Sequence, residues 1–200
     1  MLSTPPVLRI YSRAKLPTRH GNFEVVSFTR AQDQRIEDIA IIIGDISKRE
    51  PIETRIHSEC LTGDVFGSIR CDCRDQLELA LERIQQEKVG IILYLRQEGR
   101  GIGIAEKVKA YALQDGGLDT VEANRHLGFD DDLRDYGNAA AMLNALEVNS
   151  VVLHTNNPAK IDGLRHYGIK IDRRTPIVPS TREENARYLE TKREKMHHEF

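Results

Sequence analysis

From Gly90 onward the sequence alternates between short apolar runs of strand length and longer stretches with helical spacing, and this alternation restricts the fold more than any other feature. IILYLR at 91–96 reads as a buried strand, QEGRGIG at 97–103 as a glycine loop, and 104–114 as a helix closed by Gly116 as its C-terminal cap. An Ala-rich helix over 136–146 and the strand VVLHT at 151–155 follow. Asn157-Pro158 then opens a helix, with Asn157 as N-cap and Pro158 in the first turn, that ends near Gly168 before a strand at 169–173. Strands that alternate with helices predict a partly parallel sheet with helices on its faces.

Upstream of Gly90 the pattern is different. Residues 7–28 read as two strands around the turn Thr18-Arg19-His20-Gly21, and a third covers 37–43. A fourth covers 52–58, where Ile52, Thr54, Ile56 and Ser58 alternate with Glu53, Arg55 and His57. The N-terminal strands look more antiparallel. Helical spacing over 75–88 puts Leu77, Ala80, Leu81 and Ile84 on one face. A charged helix with a capping box, Thr181 to Glu184, begins the tail. No repeat and no linker divides the chain. The expected class is therefore α/β, one domain over 1–200, with a mixed β-sheet, flanking helices and antiparallel strands at the N-terminus.

The formal charge is −2 over 200 residues, so no global basic excess points to a nucleic acid polymer or an anionic membrane. An anionic ligand has to be met by local Arg and Lys. The start, MLSTPPVLRIYSRAK, has no apolar h-region, and no run reaches membrane-spanning length. A cytoplasmic location is the expectation.

All the cysteines, Cys60, Cys71 and Cys73, fall within residues 60–73. An odd count argues against a closed disulfide framework. In an extended segment Cys71 and Cys73 would point to one face, and the preceding loop can fold back to bring in Cys60. Three thiolates without a fourth suit a zinc with one open position, the catalytic type of site. Two alternatives stand beside that reading. His57, Asp64 or Asp72 could close the site as a structural staple, or the cysteines could be plain core residues.

The loop Gln97-Glu98-Gly99-Arg100-Gly101-Ile102-Gly103 follows a strand and opens a helix, a context in which backbone N–H groups cradle phosphate. It fits neither the dinucleotide fingerprint nor the Walker loop, and a flexible turn explains it equally well. Arg55, Arg100, Arg134 and Lys160 are candidate phosphate partners, each with a solvated surface charge as the bland reading. Glu98 could accept from the N1–H and amino group of a guanine. The acidic run at 130–135 is either a solvated face or a Mg²⁺ site.

These residues, taken together, resemble the GTP cyclohydrolase II family. The resemblance rests on the run from Arg55 to Asp64, on Ser68 to Cys73, on Leu95 to Gly103 and on Lys109 to Asp115. It continues through Asp119 to Asn124, Leu127 to Asp130, Asp132 to Tyr136, Thr155 to Lys160, and the tail at Tyr188 to Lys192. The match runs in order from about residue 13 to 198. Leu133 stands where the family commonly has Glu, and His198 falls where the tail often reads Gly-His; both concern local packing. Because the match begins near residue 13, the synthase domain that some members carry upstream is not expected here.

The resemblance implies an enzyme that opens the guanine ring of GTP and releases formate and pyrophosphate, the first committed step of riboflavin biosynthesis. It implies that Cys60, Cys71 and Cys73 bind one zinc, whose water attacks guanine C8, and that Mg²⁺ accompanies the triphosphate. Arg134 would act at the α-phosphate, as a nucleophile in the family's scheme or as an electrostatic stabiliser on physical grounds. Asp132 would assist as proton acceptor, and Tyr111 would orient water. The implied GTP contacts are Arg55, Ile56, His57, Ser58, Glu59, Gln76, Glu98, Gly99, Arg100, Thr120, Thr155 and Lys160. A homodimer is implied as well.

Overall fold

In the computed structural model, which describes residues 3–30, 34–48, 50–178 and 182–196, the turn at Thr18–Gly21 joins β1 (Leu8–Thr18) to β2 (Gly21–Arg30). Gly21 takes φ +132 there, where a Cβ would collide with Gln85. β3 (Arg35–Ile43) continues the antiparallel meander. β4 (Ile52–Ser58), β5 (Gly90–Leu95), β6 (Ser150–His154) and β7 (Lys170–Thr175) complete one sheet in the order β1-β2-β3-β5-β4-β6-β7. Pairing is antiparallel from β1 through β3 to β5 and parallel across β5, β4, β6 and β7. The mixed α/β architecture is the one expected from the sequence.

The helices that cover the sheet explain its two cores. α2 (Cys73–Glu87) packs on one face, where Ala80 and Ile84 meet Phe23, Ile92 and Ile177. α5 (Gly137–Ala145) and α6 (Pro158–His166) pack on the other, around Ile91, Leu93, Leu95, Met142, Leu143 and Leu164. Successive strand residues point to opposite faces, so the run IILYL serves both cores at once. The same geometry reinterprets the alternation in β4. Ile52 and Ile56 enter the larger core. Glu53, Arg55 and His57 face the α2 side, yet all are buried. Polar alternation here marks an internal polar face, with solvent excluded by α2.

Several local expectations are refined. α3 (Gly103–Asp115) ends at Gly116 with φ −80, and the left-handed residue is Gly117 at φ +108. α4 (Thr120–His126) was not expected; Asp119 and Glu122 cap it reciprocally, a D-x-x-E box that the sequence contains. The stretch 60–73 is not a plain loop, because α1 (Leu61–Asp64) forms within it and α2 already begins at Cys73. α7 (Glu183–Met196) closes the chain, while Thr181 of the expected capping box lies outside the described residues.

The topology fixes where a ligand can go. β4 and β6 are parallel neighbours, but the chain leaves β4 toward α2 on one face and leaves β6 for α6 on the other. Diverging connections open a crevice beyond the carboxyl ends of such strands.

Candidate active site

The cysteines converge without an extended segment. Cys60 follows the end of β4, Cys71 lies in the turns before α2, and Cys73 is the first residue of α2. Their sulfurs all lie within 4.8 Å of one another, and Cys60 and Cys71 are 3.6 Å apart. Tetrahedral zinc–thiolate bonds need sulfur separations of about 3.8 Å, so the set fits a metal ion. Gly63 in α1 confirms the fit sterically, since a Cβ there would stand 3.1 Å from both the Cys60 and the Cys71 sulfur. Among the described residues no carboxylate or imidazole joins the cluster. His57 Nε2 is 3.0 Å from Asp64, which also accepts from the Cys60 N–H and the Tyr94 hydroxyl. Asp72 accepts from Gln76 and Lys192. The three residues that could have closed the site as a staple are thus engaged elsewhere.

The three sulfurs hold their protons unequally. Cys60, which receives hydrogen bonds from Cys71, Cys73 and Lys107, is held far below the ordinary thiol range. Cys71, bonded to Cys60, is pushed up to about 11, and Cys73 is raised further. Cys60 is thus the sulfur poised as thiolate, and a metal ion would displace the protons of the other two.

A cleft of about 690 Å³, including its open mouth, lies over the cysteines. Tyr111 of α3 forms one wall, its hydroxyl 3.1 Å from the Thr62 hydroxyl. A second, basic lobe lies beyond the ends of β4 and β6, lined by Arg55, Arg100, Arg134, Lys160 and Lys192. Ser58, Cys73, Arg100, Arg134 and Tyr188 line both lobes, so the two form one site. The basic lobe contains donors with no partner: Arg55 Nε, Arg100 Nη2 and Asn157 Nδ2 are buried and unbonded, as is His57 Nδ1. Burial drives Lys160 well below the ordinary lysine value, and the charges of Arg55 and Arg134 add to the effect. Arg134 and Lys192 are paired with Asp132 and Asp72, but among the described residues Arg55, Arg100 and Lys160 have no carboxylate partner, and a bound anion would compensate them.

The glycine loop feeds this lobe. Gly99 and Arg100 both take left-handed conformations, φ 61 and 63, and a non-glycine residue held there stores strain typical of functional sites. Gly101 takes φ +94, and a Cβ there would meet Leu133 at 3.1 Å. Leu133 in turn donates its N–H to the Arg100 carbonyl. The loop therefore packs on the segment carrying Asp132 and Arg134. Arg134 is gripped by Asp132 through two parallel bonds of 2.8 and 2.6 Å. Although burial opposes it, Tyr136 and Asp132 raise the Arg134 guanidinium above its ordinary range.

The remaining expected residues divide clearly. Ser58, Glu59, Glu98, Gly99 and Thr120 line the cysteine cleft, and Arg55, His57, Gln76, Thr155 and Lys160 line the basic lobe. Ile56 has its side chain in the core and offers only its carbonyl, which accepts from Lys160 Nζ at 2.8 Å. Asp132 reaches the site only through Arg134. Gln76 has both amide ends in use, accepting from Arg55 and donating to Asp72, each at 2.5 Å. Glu98 is buried; it accepts from Lys107, from Leu61 N–H at 2.6 Å and from Gly99 N–H. The acidic run does not gather, because Asp131 pairs with Arg125 and Asp132 with Arg134.

Lys107, Tyr188 and Lys192 were missed. Lys107 lies four residues before Tyr111 on the same helical face, but nothing local marks it as the partner of Glu98. Tyr188 and Lys192 lie four apart in a charged tail, and nothing local marks them as reaching the site.

Comparison with known proteins bears on the whole chain. The family model described as GTP cyclohydrolase II matches residues 9–176. Riboflavin biosynthesis protein RibBA of Endomicrobium trichonymphae is 52% identical over 185 residues, 92% of this chain and 45% of that protein. The proteins of the same name from Bacillus mycoides and Synechocystis are 53% and 51% identical, each across 92% of this chain and across 46% and 33% of their own lengths. The chain thus spans less than half the length of these relatives. A solved structure of a two-domain 3,4-dihydroxy-2-butanone 4-phosphate synthase from A. baumannii superposes with TM-score 0.46 at 14% identity, over 84% of this chain and 40% of that one.

Proposed function

The chain belongs to the GTP cyclohydrolase II family, and from that premise we propose that it hydrolyses GTP to a diaminopyrimidine ribosylamino phosphate, formate and pyrophosphate, the step that commits GTP to riboflavin. One observation carries this reading: a three-cysteine cluster able to hold a metal and a pocket of buried cations, three of them without a carboxylate partner among the described residues, share walls in a single two-lobed site. A purine triphosphate has matching chemistry at its two ends.

In this reading Cys60, Cys71 and Cys73 hold zinc, which when bound supplies a Lewis-acid centre that activates water toward guanine C8. The protein's own groups do the rest. Arg55, Arg100, Lys160 and Lys192 receive the triphosphate, with Mg²⁺ sharing its charge, and the unbonded Arg55 and Arg100 nitrogens supply free donors for it. Arg134 meets the α-phosphate. Its raised, firmly cationic guanidinium favours electrostatic stabilisation over nucleophilic attack. Asp132 aligns that guanidinium through two parallel bonds; its part as proton acceptor belongs to the nucleophilic scheme. Ser58, Glu59, Gly99 and Thr120 line the purine side, and Glu98 keeps one acceptor position on Oε2 for the base. Tyr111 orients water for ring opening and deformylation. Gln76 and the Ile56 carbonyl hold Arg55 and Lys160 in place, and His57 and Thr155 line the same lobe.

A cytoplasmic homodimer is the working form we propose; light scattering in solution tests the dimer. Zinc-replete protein incubated with GTP and Mg²⁺ should release formate and pyrophosphate together. Pyrophosphate without formate would mean the ring chemistry stops early, and neither product would refute the assignment.

A further inference from the structure

Lys107 is a buried ammonium that the proposed reaction leaves without a task. It rises from α3 one turn before Tyr111 and is 9% exposed. Its Nζ donates to Glu98 Oε1 at 2.6 Å and lies 3.1 Å from the Cys60 sulfur. It also sits 5.6 Å from the centre of the Tyr111 ring. Burying an ammonium is costly unless it is paired and hydrogen-bonded, so its position between a carboxylate and a thiolate has to be built. The glycine loop builds it. Gly99 holds φ 61, and a Cβ there would stand 3.2 Å from the Lys107 Cβ; the missing side chain makes room for the lysine stem. Glu98 is fixed independently by the Leu61 and Gly99 N–H groups, and Leu61 is the residue directly after Cys60. Lys107, Glu98 and the Cys60 turn therefore form one bonded unit behind the metal cluster.

The charge balance gives that unit a purpose. Three thiolates around a divalent ion leave one net negative charge in a buried place, and Glu98 adds another. Lys107 is the cation that touches both. We propose that Lys107 is a positioning residue for the metal centre: held by Glu98, it donates to the Cys60 sulfur, offsets the surplus charge of the thiolates and thereby keeps the ion bound. The inference rests on the metal reading above and deepens it. Partners that orient and charge-balance a ligand in this way are typically worth about ten- to a hundredfold in metal affinity.

The test compares Lys107→Met, which lacks both charge and donor, Lys107→Gln, which keeps a donor only, and Lys107→Arg, which keeps both. Zinc affinity is measured on each folded protein by competition with a chromophoric chelator, and the sulfur-to-metal charge-transfer band is recorded after cobalt(II) substitution. We expect Lys107→Met to bind zinc at least about tenfold more weakly and to move the cobalt band to longer wavelength, Lys107→Arg to stay near the parent, and Lys107→Gln to fall between. A folded Lys107→Met with parental affinity and an unmoved band overturns the inference. Should that variant not fold, Lys107→Gln binding as tightly as Lys107→Arg overturns it. A parent protein that binds no zinc at all defeats the metal reading itself, and this inference with it; zinc bound equally by every form defeats this inference alone.

Discussion

At the scale of single residues, the proposed function divides metal chemistry from phosphate chemistry between the two lobes, and substitutions should separate them too. Cys71→Ser removes one of the converging sulfurs but no core contact, so it should abolish formate release while the protein still folds and binds GTP; unfolding of that variant would make the cluster structural. Arg134→Ala should cut pyrophosphate release by about a hundredfold or more with a far smaller change in GTP affinity, measured by product assay and calorimetry. Lys160→Met offers an opposite sign. The folded protein depresses the Lys160 pKa below its ordinary 10.5, so between the two values the unfolded chain binds more protons and stability rises with pH. Removing the charge should therefore raise the melting temperature of the nucleotide-free protein at neutral pH by about 2–4 °C, for a gain of about 1 kcal/mol. That advantage should shrink as the pH climbs toward the ordinary lysine range, while GTP binding weakens throughout. The residues legible in the sequence were those whose type carries its chemistry openly: clustered cysteines and a glycine loop between a strand and a helix. Lys107 was not, because a helical lysine next to a tyrosine looks like any solvated charge until Glu98 arrives from another element. Gln76 and Ile56 illustrate the converse. They stand at positions implied to touch GTP, yet their side chains are spent on Arg55 and Asp72 or on the core.

At the scale of elements, α7 is tied to the metal segment by one buried ion pair. Lys192 Nζ lies 2.6 Å from Asp72 Oδ1, with the Asp72 side chain 0% exposed. Asp72 stands between Cys71 and Cys73, and its second oxygen leads through Gln76 to Arg55 of β4. Burial raises the Asp72 carboxyl, but Lys192 and Gln76 outweigh it and hold it below its ordinary 3.8. On acidification the unfolded chain takes up the proton first, so the pair's contribution is complete above 3.8 and is lost as pH falls through the lower folded value. Asp72→Asn should remove it at every pH. Leaving Lys192 buried and unpaired costs about 3 kcal/mol, which should appear as faster hydrogen exchange in α7 peptides than in β4 or β5. Equal exchange in parent and variant would contradict the latch. None of this was visible in the tail's sequence, where the local pattern marked only a charged helix with a capping box. α4 was overlooked for a different reason: its seven residues are too short for a periodicity signal, although its capping box was present.

At the scale of the molecule, the order of strands and helices was readable because two periodicities, one for strands and one for helices, change over at Gly90. The strand order was not readable, since the placement of β4 between β5 and β6 depends on which face each connecting helix covers. The two apolar cores include none of the cysteines. Chelation of the metal should therefore stop formate release yet leave a cooperative thermal transition, only shifted downward; loss of that transition on chelation would mean the ion holds the fold. The sheet's two halves also differ in how far apart in sequence their partners lie. The meander β1-β2-β3 joins neighbours, whereas β4 must wait for β5 and then β6 to arrive from far along the chain. Local pairings close quickly and distant ones slowly. The meander is thus able to form before the crevice beyond β4 and β6, which exists only once its distant strands have met: the scaffold precedes the pocket it frames.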